Sequence, residues 1–148
     1  MFKNILVPTD GSKLAMKGAK AGVKLASALG ARVTALYVIA PFAPVLSAEG
    51  TAYFPSGAPN AYQKAAERSA KRALAAVEIE ADTEGVACTS VFVTDPQPWG
   101  AMLRVARSKK CDAIALASHG RGALGGLILG SETQRVLAHS KVPVVVIR

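Results

Sequence analysis

Only two cysteines occur in the 148 residues, Cys88 and Cys111, and neither has a Cys-x-x-Cys or Cys/His neighbour at ligand spacing. That spacing excludes a disulfide framework and a structural zinc site, and it fits two small buried thiols in a reducing compartment. No apolar run approaches the ~18 residues that a membrane span requires. Met1-Phe2-Lys3-Asn4 passes into a strand pattern without a secretory cleavage site, so a cytoplasmic protein with no membrane partner is expected. Aromatic residues are equally sparse: four Phe, three Tyr and one Trp, none interleaved with the basic stretches. Specific nucleic-acid binding is therefore not expected, although the net charge of +8 favours acidic partners. Most of that charge reads as solvated helix surface. Lys64, Arg68, Lys71 and Arg72 share a stretch with Glu67, Glu78 and Glu80, and Arg104, Arg107, Lys109 and Lys110 decorate another.

What the chain does have is alternation. Ile5-Leu6-Val7 is a short buried-strand signal, and Asp10-Gly11-Ser12 is a turn that places Ser12 as a helix N-cap. Ala15, Gly18, Ala19, Gly22, Val23, Ala26 and Leu29 then recur at three and four residues, with Lys13, Lys17, Lys20 and Lys24 mostly outside that stripe. Gly30 stops this helix. Val33 to Ile39 forms the second strand, against which Gly18 and Gly22 let the helix lie close.

Residues 40–60, with Pro41, Pro44, Pro55 and Pro59 and almost no charge, read as one long loop. Tyr62, Ala66, Ala70, Leu74 and Val77 define a second helix through about Ala81. Ala87 to Val93 is the third strand, and Asp95-Pro96-Gln97-Pro98 opens a third helix with Trp99, Met102, Leu103 and Ala106 on its buried side. Ala113 to Ala117 is the fourth strand. A fourth helix opens at Ser131, its natural N-cap, with Val136 and Leu137 inward, and Val142 to Ile147 is the fifth strand.

Five strands alternating with four helices predict a single α/β domain, 1–148. Parallel neighbours need right-handed crossovers, so the expected architecture is a doubly wound five-stranded parallel sheet with helices on both faces. Such sheets bind ligands beyond the carboxyl ends of their strands, where the winding reverses. Winding in both directions from the middle, in the order 3-2-1-4-5, sets strands one and four side by side. Val7-Pro8-Thr9-Asp10 and the glycine-rich segment from Ser118 to Thr133 then share one crevice. Glycines let backbone N–H groups approach oxyanions closely, and the helix start that follows carries partial positive charge.

At these residues the chain resembles the universal stress protein family. The resemblance rests on Ile5-Leu6-Val7-Pro8-Thr9-Asp10-Gly11-Ser12, Val38, Ser118-His119-Gly120-Arg121, Leu129-Gly130-Ser131 and Pro143-Val144-Val145-Val146. Nucleotide-binding members carry Gly-x2-Gly-x9-Gly-(Ser/Thr), where this chain has Ala117-x2-Gly120-x9-Gly130-Ser131. The resemblance implies the adenine nucleotide alpha hydrolase-like fold and an ATP (or ADP/AMP) site, with Mg2+ accompanying the phosphates. Asp10 would hold the ribose or a phosphate-bound metal, Val38 would offer backbone groups to adenine, and Pro8 and Thr9 would form the floor. Gly120, Arg121, Gly130, Ser131 and Thr133 would receive phosphates, and Ala117, His119 and Glu132 complete the motif. Gly122, Gly125 and Gly126 are given no role.

A methyl group at Ala117 and a carboxylate at Glu132 are the two departures that bear on a triphosphate. The implied protein is a regulatory ATP binder with a protein partner of its own, not primarily a catalyst. The alternatives are a nucleotide-free dimeric stress or interaction module, or slow ATPase activity or autophosphorylation at Ser131 or a nearby hydroxyl. Adjacent Ser118 and His119 diverge in direction and lack a third orienting group, so a nucleophile-base pair is not expected there. Homodimerisation through the last strand is expected, because pairing that edge with its mate satisfies open backbone groups.

Overall fold

The computed structural model describes residues 1–53, 55–118 and 129–148. Its elements follow the alternation: β1 (Asn4–Pro8), α1 (Lys13–Leu29), β2 (Arg32–Ile39), β3 (Val45–Leu46), β4 (Ala52–Tyr53), α2 (Ala58–Thr83), β5 (Cys88–Thr94), α3 (Pro98–Ser108), β6 (Ala113–Ala117), α4 (Ser131–His139) and β7 (Val144–Ile147). The main sheet has the order β5-β2-β1-β6-β7, and every pairing in it is parallel. This is the predicted doubly wound sheet.

Two apolar layers sandwich it. On one face α1 and α2 bury Val23, Ala26, Leu74 and Val77 against Ile5, Val7, Val33 and Ala35. On the other, Val105, Ala106 and Val136 of α3 and α4 meet Leu6, Leu36, Ile114 and Leu116. Each fully buried Leu, Ile or Val contributes about 1.5–3 kcal/mol relative to exposure, which is why β1 and β6 are apolar on both faces. α1 starts as expected, with Ser12 Oγ accepting the Ala15 N–H at 3.1 Å, and it ends on Gly30 at φ 64°, where a Cβ would be strained.

Several expectations need correction. Residues 40–60 are not uninterrupted loop. β3 and β4 pair antiparallel over two residues each, and α2 begins at Ala58, earlier than the apolar stripe suggested, because Pro59 suits a first helical turn. Leu137 is 42% exposed, since the nine-residue α4 turns only Thr133 and Val136 fully inward. Trp99, Met102 and Leu103 are half-buried at the margin of their layer, while the small residues Gly100 and Ala101 with Val105 and Ala106 make the closest approach. Cys111 is buried, but Cys88 is only half-buried because it opens an edge strand. Burial pushes both thiols up, which keeps them as unreactive thiols.

The amino ends of the strands are held by polar groups. Asn4, only 2% exposed, donates to the Lys109 carbonyl and accepts from Thr34 Oγ1, while the Asp112 carboxylate accepts the Lys3 N–H at 2.8 Å and the Asn4 N–H at 3.1 Å. Desolvation pushes the Asp112 carboxyl up, but the N–H groups of Lys3, Asn4 and Asp112 itself outweigh it and hold it below the usual carboxylate range. A depressed folded-state pKa stabilises above the unfolded pKa, and that stability is lost as pH falls through the folded value. Asp112→Asn is thus expected to lose about 1 kcal/mol at pH 7, near the low end for charge-assisted bonds at a solvated position. In urea titrations repeated across pH, the gap from wild type should close below about pH 4.

Candidate functional site

The winding reverses between β1 and β6, which pair through Ile5↔Ala113 and Leu6↔Ile114. Two segments far apart in sequence therefore finish side by side: Pro8, Thr9 and Asp10 at the end of β1, and Ala117 and Ser118 at the end of β6. His119, Gly120 and Arg121 lie outside the described residues.

Thr9 and Asp10 are set by local bonds. The β1–β2 register stops at Pro8↔Leu36, and the last bond across it runs from the Thr9 N–H to the Leu36 carbonyl at 2.8 Å. Continuing the ladder would send the Gly11 N–H to Val38, but that N–H goes to Thr9 Oγ1 at 3.1 Å instead. Asp10 Oδ1 accepts the Ser12 N–H at 2.9 Å, a turn that fixes the carboxylate at the strand's carboxyl end. Strand parity turns the Val38 N–H and carbonyl toward the β1 side, beyond the point where β1 has left the sheet. Both groups thus face the space above β1, as a base-recognising backbone requires.

Opposite them stands the amino end of α4. Gly130, at φ −58° and ψ 150°, is its N-cap and, as a glycine, offers no capping side chain. Ser131, expected as the cap, is instead the first helical residue: the first intrahelical bond runs from the Gln134 N–H to the Gly130 carbonyl at 3.0 Å. The N–H groups of Ser131, Glu132 and Thr133 have no intrahelical partner and mark the positive end of the helix dipole. The Gly130 N–H donates to the Ser118 carbonyl at 2.9 Å, pinning this helix end to β6.

Three motif side chains are engaged differently from the expectation. The hydroxyl of Thr133, a residue only 3% exposed, lies 3.2 Å from both the Ala117 and Ser118 carbonyls, so it buttresses the helix from behind and leaves only the Thr133 N–H for a ligand. The Glu132 carboxylate does not reach toward β1. Its Oε2 accepts the Trp99 N–H at 2.8 Å, and its Oε1 lies 3.7 Å from the Arg135 guanidinium. Ala117 turns its methyl into α1, not into the crevice. A Cβ built on Gly18 would stand 2.9 Å from Ala117 Cβ, so glycine at 18 is what makes room for alanine at 117.

The apolar stripe of α3 marks Trp99 only as a core residue. Its backbone N–H meets Glu132 across 33 positions, and its ring lies 4.9 Å from that of His139, the last residue of α4. No local pattern announces either contact.

The profile of the universal stress protein family matches residues 1–148. The chain belongs to this family. A universal stress protein of Thermus aquaticus is 33% identical over 148 residues, covering 100% of both chains. The structure of the universal stress protein UspA from Lactobacillus plantarum superposes with a TM-score of 0.77 at 25% identity, over 99% of this chain and 97% of that one. More distant members share the fold and were solved with adenine nucleotides. One is an Arabidopsis thaliana protein with AMP (TM-score 0.68, 14% identity, 98% of this chain and 90% of that one). Another is an Archaeoglobus fulgidus protein with dAMP (0.65, 16%, 99% and 98%), and a third is a universal stress protein with cAMP (0.68, 21%, 99% and 97%). Among the described residues of this chain, no helix is long and apolar enough to cross a membrane.

Proposed function

We propose that this member of the universal stress protein family is a cytoplasmic regulatory protein that binds an adenine nucleotide between the ends of β1 and β6. The ligand is ATP or its ADP and AMP relatives. What supports this reading is that the Val38 backbone pair, the fixed Asp10 carboxylate and the α4 amino end all lie at the carboxyl ends of the neighbouring strands β2, β1 and β6. These groups suit the three parts of a nucleotide: backbone N–H and carbonyl for the base, a carboxylate for ribose hydroxyls, and main-chain N–H groups for phosphate. Turned into α1, the Ala117 methyl does not weigh against the ligand.

Mg2+ would ride on the phosphates with Asp10 as its protein-side neighbour, polarising phosphate oxygens when bound. Hydrolysis, where it occurs, rests on orientation and that polarisation, so turnover is slow. The protein acts as a homodimer through β7, with bound nucleotide altering the surface offered to a protein partner.

Native purification, heat denaturation and chromatography of the supernatant are expected to release adenine nucleotide. Asp10→Ala is expected to weaken calorimetric binding by about tenfold, the loss of one or two charge-assisted hydrogen bonds. Absence of released nucleotide together with absence of heat from added AMP, ATP and Mg·ATP would refute the reading.

A further inference from the structure

Glu132 stands in the first turn of α4, where the proposed phosphate end of the ligand arrives, and it is the only acidic residue there. An anion in that turn competes with phosphate for the same helix-end field. An unrestrained glutamate would swing into solvent and matter little. This one is held: α3 has Gln97 at its N-cap with no side-chain bond and Pro98 behind it, so the Trp99 N–H needs an acceptor from elsewhere, and Glu132 Oε2 supplies it at 2.8 Å. One carboxylate therefore serves two helix starts, and its side chain is only 37% exposed. Arg135, at 3.7 Å from Oε1, offsets part of its charge from the outer side.

We infer that Glu132 is a specificity-determining residue that weights the site toward nucleotides of low phosphate charge, favouring a monophosphate over a free triphosphate. The inference rests on the nucleotide-binding reading above and names the ligand class within it. Its charge is fixed within the turn whose N–H groups would receive the phosphates. A nucleotide with one phosphate meets that field once, whereas a longer chain brings more negative charge near an anion that the Trp99 bond keeps beside the same helix end and out of bulk solvent.

The test measures AMP and ATP affinities by calorimetry on the full chain with a chelator present. Glu132→Gln keeps an oxygen for the Trp99 N–H while removing the charge, and unchanged emission from Trp99, the sole tryptophan, checks that the contact survives. Expected is an ATP affinity about three- to tenfold higher, with AMP changed less than about twofold. Arg135→Gln, on the exposed side of α4, should move the ratio the other way by exposing the full carboxylate charge. Mg2+, which takes charge off the triphosphate, should narrow the difference between wild type and Glu132→Gln. Equal changes for AMP and ATP in both variants would overturn the inference while leaving nucleotide binding intact. Failure of every nucleotide to bind wild type and both variants would overturn the nucleotide reading and this inference with it.

Discussion

Gly18→Ala is expected to lower the unfolding free energy by about 2 kcal/mol, although alanine is the better helix former. In an exposed helix interior the exchange would gain about 1 kcal/mol. Here the new Cβ would lie 2.9 Å from both Ala117 Cβ and the Ala117 backbone nitrogen, and 3.1 Å from Ala117 Cα. An interior strand such as β6, paired on both sides, cannot retreat, so α1 must lift, and overpacking of this kind costs about 1–3 kcal/mol beyond the propensity gain. Gly22 is the internal control. Its Cβ would meet Val7 Cγ2 at 3.1 Å and Ala115 Cβ at 3.3 Å, side-chain atoms only, and Gly22→Ala should remain within about 1 kcal/mol of wild type. Adding Ala117→Gly to Gly18→Ala should recover only part of the loss, because the backbone nitrogen still obstructs. Full recovery in urea unfolding would show that the methyl alone sets the spacing between α1 and β6.

Val146→Pro is expected to raise the dissociation constant of the proposed β7 dimer on the order of a hundredfold while leaving the monomer folded. The Ile114 and Ser118 N–H groups donate to the Pro143 and Ile147 carbonyls, so odd-numbered residues of β7 face β6. Val144 and Val146 therefore turn their backbone groups to the open edge, where a second copy would pair. Proline at 146 removes an outward N–H and spares the ladder to β6, which is the position where an edge strand tolerates it. Val145→Pro removes an inward N–H, and about 3 kcal/mol or more of stability should go with it. Light scattering separates the two outcomes. A dimer that survives Val146→Pro unchanged would place the interface elsewhere. Deleting the last six residues is the blunter experiment, since Val144 packs into one apolar layer and Val145 and Ile147 into the other.

Much of the sheet was legible because each strand and helix carries its own period. Val23 and Ala26 mark a helix face without reference to any partner, and the double-sided apolar character of β1 and β6 is visible in Ile5-Leu6-Val7 and Ala113–Ala117. The strand order follows from the rule that crossovers are right-handed, so the meeting of Asp10 with the end of β6 was also within reach. Other features depend on partners that sequence spacing does not specify. Glu132 reads as a helix-start residue beside a phosphate motif, and its bond to the Trp99 N–H exists only because two crossover helices lie on the same face. Ala117 reads as a departure from a glycine motif, and only the pleat shows its methyl facing Gly18. Pairs as short as Val45↔Tyr53 and Leu46↔Ala52 leave no period to detect.

The chain departs from the sheet at Ser118 and is back at the same carbonyl by Gly130, 2.9 Å away, with Thr133 fastened to that spot as well. Departure and return share one anchor. The amino end of α4 is thus keyed to β6 through Ala117, Ser118, Gly130 and Thr133, so its N–H groups keep a set direction relative to the sheet.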